Sequence, residues 1–549
     1  MASYGVIVGG LALRPDTTRR ARSSRSFLEG LWRMSADPRT TKTINPNDVV
    51  ARQDRIQVWS LPYIYVLVIG IGFLFTFYDI FDINVSFIQT CTQIVDKCLA
   101  GPPPGSTSLP PGFVEASAVV GLPVLWNLIG YVIGALLLSP LADRFGRRDM
   151  LLVTLLITGL GSLYTAFTND YTTFIIARTI TGIGIGADLA IVNTYINEMA
   201  PRGGRAKYTS LIFIMSGLGA FVAIWLGLIL TTPPAPFPLG LSFAQVQVSD
   251  HGVFQGDGWR IMYIVGAVLA MIGIVLRIQL PESPRWLVSR GELAEADKVV
   301  SLMESYASSK GAAAMAAAPA DDEPVAVQSG EGSSGFAAIF SNPTYLGRVV
   351  LLFVMWFIAY ITVYSIAAGL TVILNALGYA PPEAGVIAAV GTIGFILCGV
   401  FAYYFGEKLE RKYWLPIGAV LTIIGGVLIA VAGKPTSANV DTTVILAFVG
   451  SIILFFGFNV WVPITYAWST ENFPTRARTT GFGIVDGIGH VGGGVGLLFI
   501  TATVLPQLAS QQNGALYAFL LIGGFLVVAA IIAQFGIRTR GKRLDAVSP

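Results

Sequence analysis

About twelve stretches of this chain stay apolar for roughly 20 residues, the length a helix needs to cross a bilayer. They run from residues 61–88 to residues 514–536. In lipid a backbone must satisfy its own hydrogen bonds, so segments of this length fold as helices. Composition agrees: of 549 residues, 54% are hydrophobic and 12% charged, about half the charged share of a soluble domain. The expected fold class is an all-α membrane protein with twelve transmembrane helices.

A short phrase occurs twice. Glu198-Met-Ala-Pro201-Arg-Gly-Gly-Arg205 returns as Glu471-Asn-Phe-Pro474-Thr-Arg-Ala-Arg478. Each copy sits where a long apolar segment runs out into basic residues. A repeat at half-chain distance predicts two homologous six-helix bundles, and parallel halves with a solute site between them are a transporter architecture. The expected organisation is an N-terminal arm over 1–58, a bundle over 59–290, a partly disordered linker over 291–346, a second bundle over 347–537 and a tail over 538–549. Arg and Lys crowd alternate loops, at Arg144, Arg147 and Arg148, at Arg202, Arg205 and Lys207, at Lys408, Arg411 and Lys412, and at Arg476 and Arg478. Positive residues mark the cytoplasmic side, so both termini are expected there. Cys91 and Cys98 share an outer loop, and either a disulfide or two free thiols fits the spacing.

Several motifs carry a family resemblance. Ser139-Pro-Leu-Ala-Asp143-Arg144-Phe-Gly146-Arg147-Arg148 resembles the loop 2–3 signature of the major facilitator superfamily, G-x-L-x-D-R-x-G-R-R. Glu407-Lys408-Leu-Glu410-Arg411-Lys412 is a worn second copy. Arg178-Thr-Ile-Thr-Gly182-Ile-Gly184-Ile-Gly186 resembles that superfamily's fourth-span R-x-x-x-G-x-G-x-G. Pro281-Glu282-Ser283-Pro284-Arg285 is similar to the P-E-S-P-R signature of sugar porters and phosphate–proton symporters. The resemblance implies the major facilitator fold. It also implies a gating charge relay of Asp143, Arg144, Arg147, Glu198, Arg205, Glu282, Arg285, Glu471 and Arg478. The first span, Phe77-Tyr78-Asp79-Ile80-Phe81-Asp82-Ile83-Asn84, is similar to D-x-Y-D-I-F-x-I-N of the phosphate symporters. That family's seventh-span Asp corresponds here to Tyr360, and its eleventh-span Lys to His490.

Read without the family, the membrane interior holds four acids, Asp79, Asp82, Asp188 and Asp486, against two bases, Arg178 and His490. Each mid-bilayer charge costs about 2.5–3.5 kcal/mol, so such residues mark function. An acid surplus is what a proton carrier needs. Asp79 and Asp188 are the expected proton-coupling carboxylates, with Asp82 next. Asp82 or Asp486 lining a watery vestibule is the plain alternative. Asp486 and His490, one turn apart, are expected as a substrate-facing or proton-relay pair; a packed histidine is the alternative. Arg178 is expected as a structural or anion contact, and Tyr360, Tyr364 and Tyr466 as substrate-site walls.

The expected activity is proton-coupled symport of a small polar solute, a sugar or a small anion, by alternating access. A proton-antiport exporter and a transport-dead sensor are the alternatives. An enzyme is not expected, since no nucleophile–base pair or metal cluster stands outside the spans. The expected partners are a small-molecule substrate, protons and the plasma-membrane bilayer, with no nucleic acid, no metal and no cofactor beyond the proton gradient. The chain is expected to work as a monomer.

Overall fold

The computed structural model describes residues 44–95, 118–201, 204–231, 257–311, 335–379, 381–434, 440–542 and 544–548. Cys98, His251, most of the N-terminal arm and the central part of the linker lie outside them. Cys91 is disulfide-bonded, and the buried Cys398 is free. Pro46–Pro549 form one compact unit.

Twelve helices among the described residues are long and apolar enough to span a membrane. They are α1 (Tyr63–Phe87), α2 (Val119–Phe145), α3 (Arg147–Ala166), α4 (Tyr171–Met199), α5 (Arg205–Thr231) and α6 (Gly258–Arg277) in the first half. The second half holds α7 (Pro343–Ala367), α8 (Glu383–Phe405), α9 (Arg411–Ala432), α10 (Thr442–Glu471), α11 (Arg478–Leu508) and α12 (Gly514–Ala533). Local chemistry sets several starts. Asp170 caps α4, its carboxylate accepting from the Thr173 amide at 2.9 Å. Asn342 caps α7 from the Thr344 amide at 2.9 Å, with Pro343 in the first turn, where its missing N–H costs nothing.

Packing repeats with a period of six helices. In the first half α1 lies on α5, α2 on α4 and α3 on α6; in the second α7 lies on α11, α8 on α10 and α9 on α12. Two further pairs join the halves, α5 with α8 and α2 with α11. The expected close approach at the α4 glycines is present. A Cβ on Gly182 would stand 1.9 Å from the Asn127 carbonyl oxygen of α2, and one on Gly184 would stand 2.2 Å from the Thr158 hydroxyl of α3.

Two helices depart from regular geometry near the centre of the molecule. In α10 the helix breaks between Val460 and Val462, just before Pro463. In α11, Gly483–Gly487 is wound as a π-helix. Such wide turns re-aim side chains and recur at functional sites. Short helices gather at one end of the bundle: Pro46–Arg55, Pro284–Ser289 and Leu293–Ser308. This linker end is also where the basic loops sit.

Candidate functional site

The first buried cluster ties α1 to α4. Arg178 Nη1 lies 3.3 Å from Asp79 Oδ1 and 3.6 Å from Asp82 Oδ1. Arg178 also donates to the Asp79 backbone oxygen at 2.6 Å, and the Ser162 hydroxyl of α3 donates to Asp79 Oδ1 at 2.7 Å. Neither Asp82 oxygen accepts a hydrogen bond among the described residues. Two carboxylates therefore share one guanidinium, out of reach of water. Of the two expectations for Arg178, a structural or an anion contact, the geometry fits the structural one: the guanidinium packs over the Tyr263 ring and between the two acids.

The second cluster ties α4 to α6, and sequence reading missed half of it. Asp188 forms a close bidentate pair with Arg277, and Thr154 donates to the same carboxylate at 2.9 Å. Arg277 sits in the last turn of α6, where a basic residue reads as a solvated helix end. Instead it is wholly buried. Gly72 of α1 makes the room, since a Cβ there would stand 1.7 Å from the Arg277 guanidinium. The interior count is thus four acids against Arg178, Arg277 and His490, and the surplus narrows.

The third cluster lies on the π-turn of α11. Asp486 accepts from the Tyr131 hydroxyl of α2 and from the Tyr360 hydroxyl of α7, each at 2.5 Å. His490 Nδ1 lies 2.7 Å from the Asp486 backbone oxygen, so this nitrogen donates and carries the hydrogen. The imidazole is sandwiched between the Tyr131 and Tyr360 rings, each at 3.8 Å. Asp486 is the one buried acid of the described spans with no Lys or Arg in ion-pair range. Tyr131 went unnoticed in the sequence because a lone Tyr in an apolar span reads as packing. Its spacing of four from Asn127, itself bonded to the Arg178 carbonyl at 2.8 Å, is the one signal that marked an interior face.

A narrow cavity of about 20 Å³, room for roughly one water, lies between the bundles beside this cluster. Its walls come from α1, α4, α7, α10 and α11, and Tyr360, Tyr364, Tyr466 and His490 are among them. Asp79, Asp82, Asp188 and Asp486 stand behind the wall, although Ile80, Phe81 and Leu189 beside them reach it.

The linker end is closed by a charge relay with two-fold logic. Asp143 bonds Arg147 at 3.0 Å, and Arg147 bonds Glu198 at 3.2 Å. Glu198 then reaches Arg478 of the other bundle at 3.6 Å. Asp143 also accepts from the Thr480 amide and hydroxyl at the start of α11, at 3.1 and 2.7 Å. The second half mirrors this. Glu407 bonds Arg411 at 2.8 Å, Arg411 bonds Glu471 at 3.4 Å, and Glu471 lies 3.7 Å from Arg205. Glu407 accepts from the Ala206 amide at the start of α5, at 2.8 Å. Each acid thus caps the positive end of a helix in the opposite bundle. Glu282 holds α3 in place by accepting from the amides of Arg147 and Arg148, each at 3.1 Å. Burial pushes its carboxyl above the ordinary glutamate value, against the pull of those amides and of the Arg147 charge.

One relay expectation is corrected. Arg144 is exposed and lies over the Phe145 ring, because one residue past Asp143 it faces away from Arg147. Arg285 pairs closely with Asp54 of the Pro46–Arg55 helix. The opposite end is closed by Asn84 of α1, whose amide donates to the carbonyls of Ile366 and Ala367 at 3.2 and 2.6 Å where α7 stops.

Comparison with known proteins agrees with this architecture. The profile of the "Sugar (and other) transporter" family matches residues 64–548. The niacin transporter NiaP of Acinetobacter baylyi is 24% identical over 505 residues, covering 91% of this chain and 99% of that protein. The arabinose–proton symporter of Bacillus subtilis is 26% identical over 369 residues, covering 66% of this chain and 73% of that protein. Among solved structures, the E. coli proton:xylose symporter XylE superposes with a TM-score of 0.61 at 21% identity, over 89% of this chain and 99% of its own, a likeness of fold. With its six-fold packing period, its central cavity and its mirrored relay, this chain is a multi-pass membrane transporter that belongs to the sugar (and other) transporter family of the major facilitator superfamily.

Proposed function

We propose that this protein imports a small polar organic solute together with protons, by alternating access across the plasma (inner) membrane, as a monomer with both chain ends in the cytoplasm. The observation that carries the reading is the pair Asp79 and Asp82 sharing Arg178. Two buried carboxylates against one guanidinium leave one negative charge over, and each uncompensated charge in the membrane interior costs about 2.5–3.5 kcal/mol. A proton removes it. Asp82, with neither oxygen hydrogen-bonded, receives that proton, and Asp79 stays ionised against Arg178. Asp188, matched one to one by Arg277, holds α4 against α6 while the bundles rock.

Substrate sits in the central cavity against Tyr360, Tyr364, Tyr466 and His490, with Asp486 behind them. Loading a proton and a solute neutralises the interior and frees one closed end at a time. At the linker end, that means parting Glu198 from Arg478 and Glu471 from Arg205. Names among the relatives support proton coupling and small solutes: a niacin transporter, an arabinose–proton symporter and a proton:xylose symporter.

The test uses purified full-length protein. A thermal-shift screen at about pH 5.5 and 7.5 finds a solute that raises the melting temperature by mass action. In proteoliposomes that solute is expected to make the outside more alkaline as it enters. Asp82→Asn is expected to cut proton-driven accumulation about tenfold or more while sparing exchange. External acidification would mean antiport, and unaltered accumulation in Asp82→Asn would remove this pair from the mechanism.

A further inference from the structure

Asp486 is wholly buried, and the groups that face it are neutral hydroxyls and one imidazole. Tyr131 of α2 donates to Oδ2 and Tyr360 of α7 donates to Oδ1. Tyr364 of α7 and Tyr466 of α10 stand around the same cluster, their rings 5.6 Å from His490 and 5.2 Å from Trp356. His490 is the nearest group that could carry a positive charge, with Nδ1 3.6 Å from Oδ2, but that nitrogen spends its hydrogen on the Asp486 backbone oxygen. The charged side chains of α4, which also packs on this turn, are spent elsewhere: Arg178 on Asp79 and Asp82, Asp188 on Arg277, and Glu198 on Arg147 and Arg478. An ionised Asp486 is therefore one negative charge with no counter-charge, which a membrane interior penalises. The two hydroxyls differ in where they lead. The Tyr360 hydroxyl lies 3.3 Å from the Tyr466 hydroxyl, and both residues line the narrow space that has room for roughly one water. Tyr131 comes from the first bundle and is not among the residues of that wall.

We propose that Asp486 is a second proton-binding site, loaded through Tyr466 and Tyr360, and that loading it weakens the bond by which Tyr131 ties the first bundle to α11. The proposal rests on the reading above for its place in a transport cycle, whereas the site and its path do not depend on Asp82. The step is a shift along three oxygens. A hydronium in the narrow space gives a proton to the Tyr466 oxygen. The Tyr466 hydrogen passes to the Tyr360 oxygen, and the Tyr360 hydrogen passes to Asp486 Oδ1. Each tyrosine ends neutral with one hydrogen, the hydronium becomes water, and the carboxylate becomes a carboxylic acid. Tyr131 then donates to a neutral carboxyl. A hydrogen bond to an ionised group is about twice as strong as one between neutral groups, so the contact across the joint between bundles loses about half its strength. Proton loading and freedom of the two halves to rock are linked at this one residue.

The experiment needs no solute. Full-length protein in lipid is stepped in pH, and infrared difference spectroscopy follows the C=O stretch that a carboxyl gains on protonation. Wild type is expected to show a signal between about pH 4 and 9 that Asp486→Asn lacks and that Asp486→Glu regains at a shifted frequency, a control for folding. Tyr466→Phe is expected to slow the appearance of that signal about a hundredfold, since it removes a positioned proton carrier. Tyr131→Phe is expected to leave the rate unchanged and to make Asp486 bind its proton about tenfold more tightly, because the ionised form loses a donor. A merely structural Tyr466 would not move the rate, and an unaltered rate overturns the path. A spectrum of Asp486→Asn identical to wild type overturns the site. If Asp82→Asn loses a signal in that same case, proton symport through Asp82 stands without Asp486. If Asp486→Asn loses a signal and Asp82→Asn does not, the present proposal holds and the role given to Asp82 falls.

Discussion

Asp188 and Arg277 show how much one side chain weighs in a membrane interior. Neither is tolerable alone, and each reaches its partner only because Gly72 lacks a Cβ. Asp188→Asn leaves the guanidinium buried without a counter-charge, which costs about 3–5 kcal/mol. The expected result is a marked fall in the melting temperature of the detergent-purified protein. Exchanging both residues for apolar ones of similar volume, Asp188→Leu with Arg277→Met, is expected to recover most of that loss. Glu282 makes a separate prediction for pH. Its folded carboxyl is raised above the ordinary 4.5, chiefly by burial. A raised acid adds stability that is fully present below pH 4.5 and is lost as pH rises through the folded value. Thermal stability of the linker end is therefore expected to decline across the mildly acid range. Glu282→Gln, which never ionises, is expected to flatten that part of the profile.

At the level of elements, α11 decides the shape of the site. Its π-turn carries Asp486 to the two tyrosine hydroxyls, and its glycines bring α7 into backbone contact. A Cβ on Gly492 would stand 2.0 Å from the Phe357 carbonyl oxygen, and one on Gly493 would stand 2.2 Å from the Tyr364 ring. Backbone cannot yield as a side-chain tip can. Gly492→Ala is therefore expected to push α7 and α11 apart at a cost of about 1–3 kcal/mol. It is also expected to part Tyr360 from Asp486, visible as a weaker thermal shift by the transported solute. The same device serves the joint between the halves. Opposite Ser139 of α2, Gly483 of α11 supplies the room, a Cβ there meeting the Ser139 hydroxyl at 3.0 Å.

Over the whole molecule, the relay works as a symmetric clasp. Asp143 holds the first turn of α11 and Glu407 the first turn of α5, so each half grips the other by a helix end. Charge-assisted hydrogen bonds of this kind are worth about 1.5–3 kcal/mol each. Replacing both acids, Asp143→Asn with Glu407→Gln, is expected to move the population toward the state open at the linker end. The measurement is thiol labelling of a cysteine placed at Ser469, which is wholly buried. Labelling is expected to quicken about tenfold or more. An unchanged rate would mean that the clasp does not hold this end shut.

Much of this was legible in the residues. Apolar runs of bilayer length dictate spanning helices, because lipid leaves a backbone no other partner. The doubled E-x-x-P-x-x-x-R phrase gives two halves, and the acids in the spans mark the interior. These are local signals, each written within a few turns of one helix. The pairing of charges was not legible. Arg277 lies 89 residues from Asp188, Tyr131 lies 355 from Asp486, and the π-turn between them leaves no periodic trace. Which acids keep a surplus charge, and which residues form the cavity wall, depends on how helices from both halves meet. Sequence alone determined that this chain is a two-bundle membrane transporter, because length and hydrophobicity act one helix at a time. Only the tertiary structure decided that Asp79 and Asp82 share one arginine, that Asp188 has its own, and that Asp486 rests on two tyrosines, because ion pairing in a low-dielectric interior acts between helices.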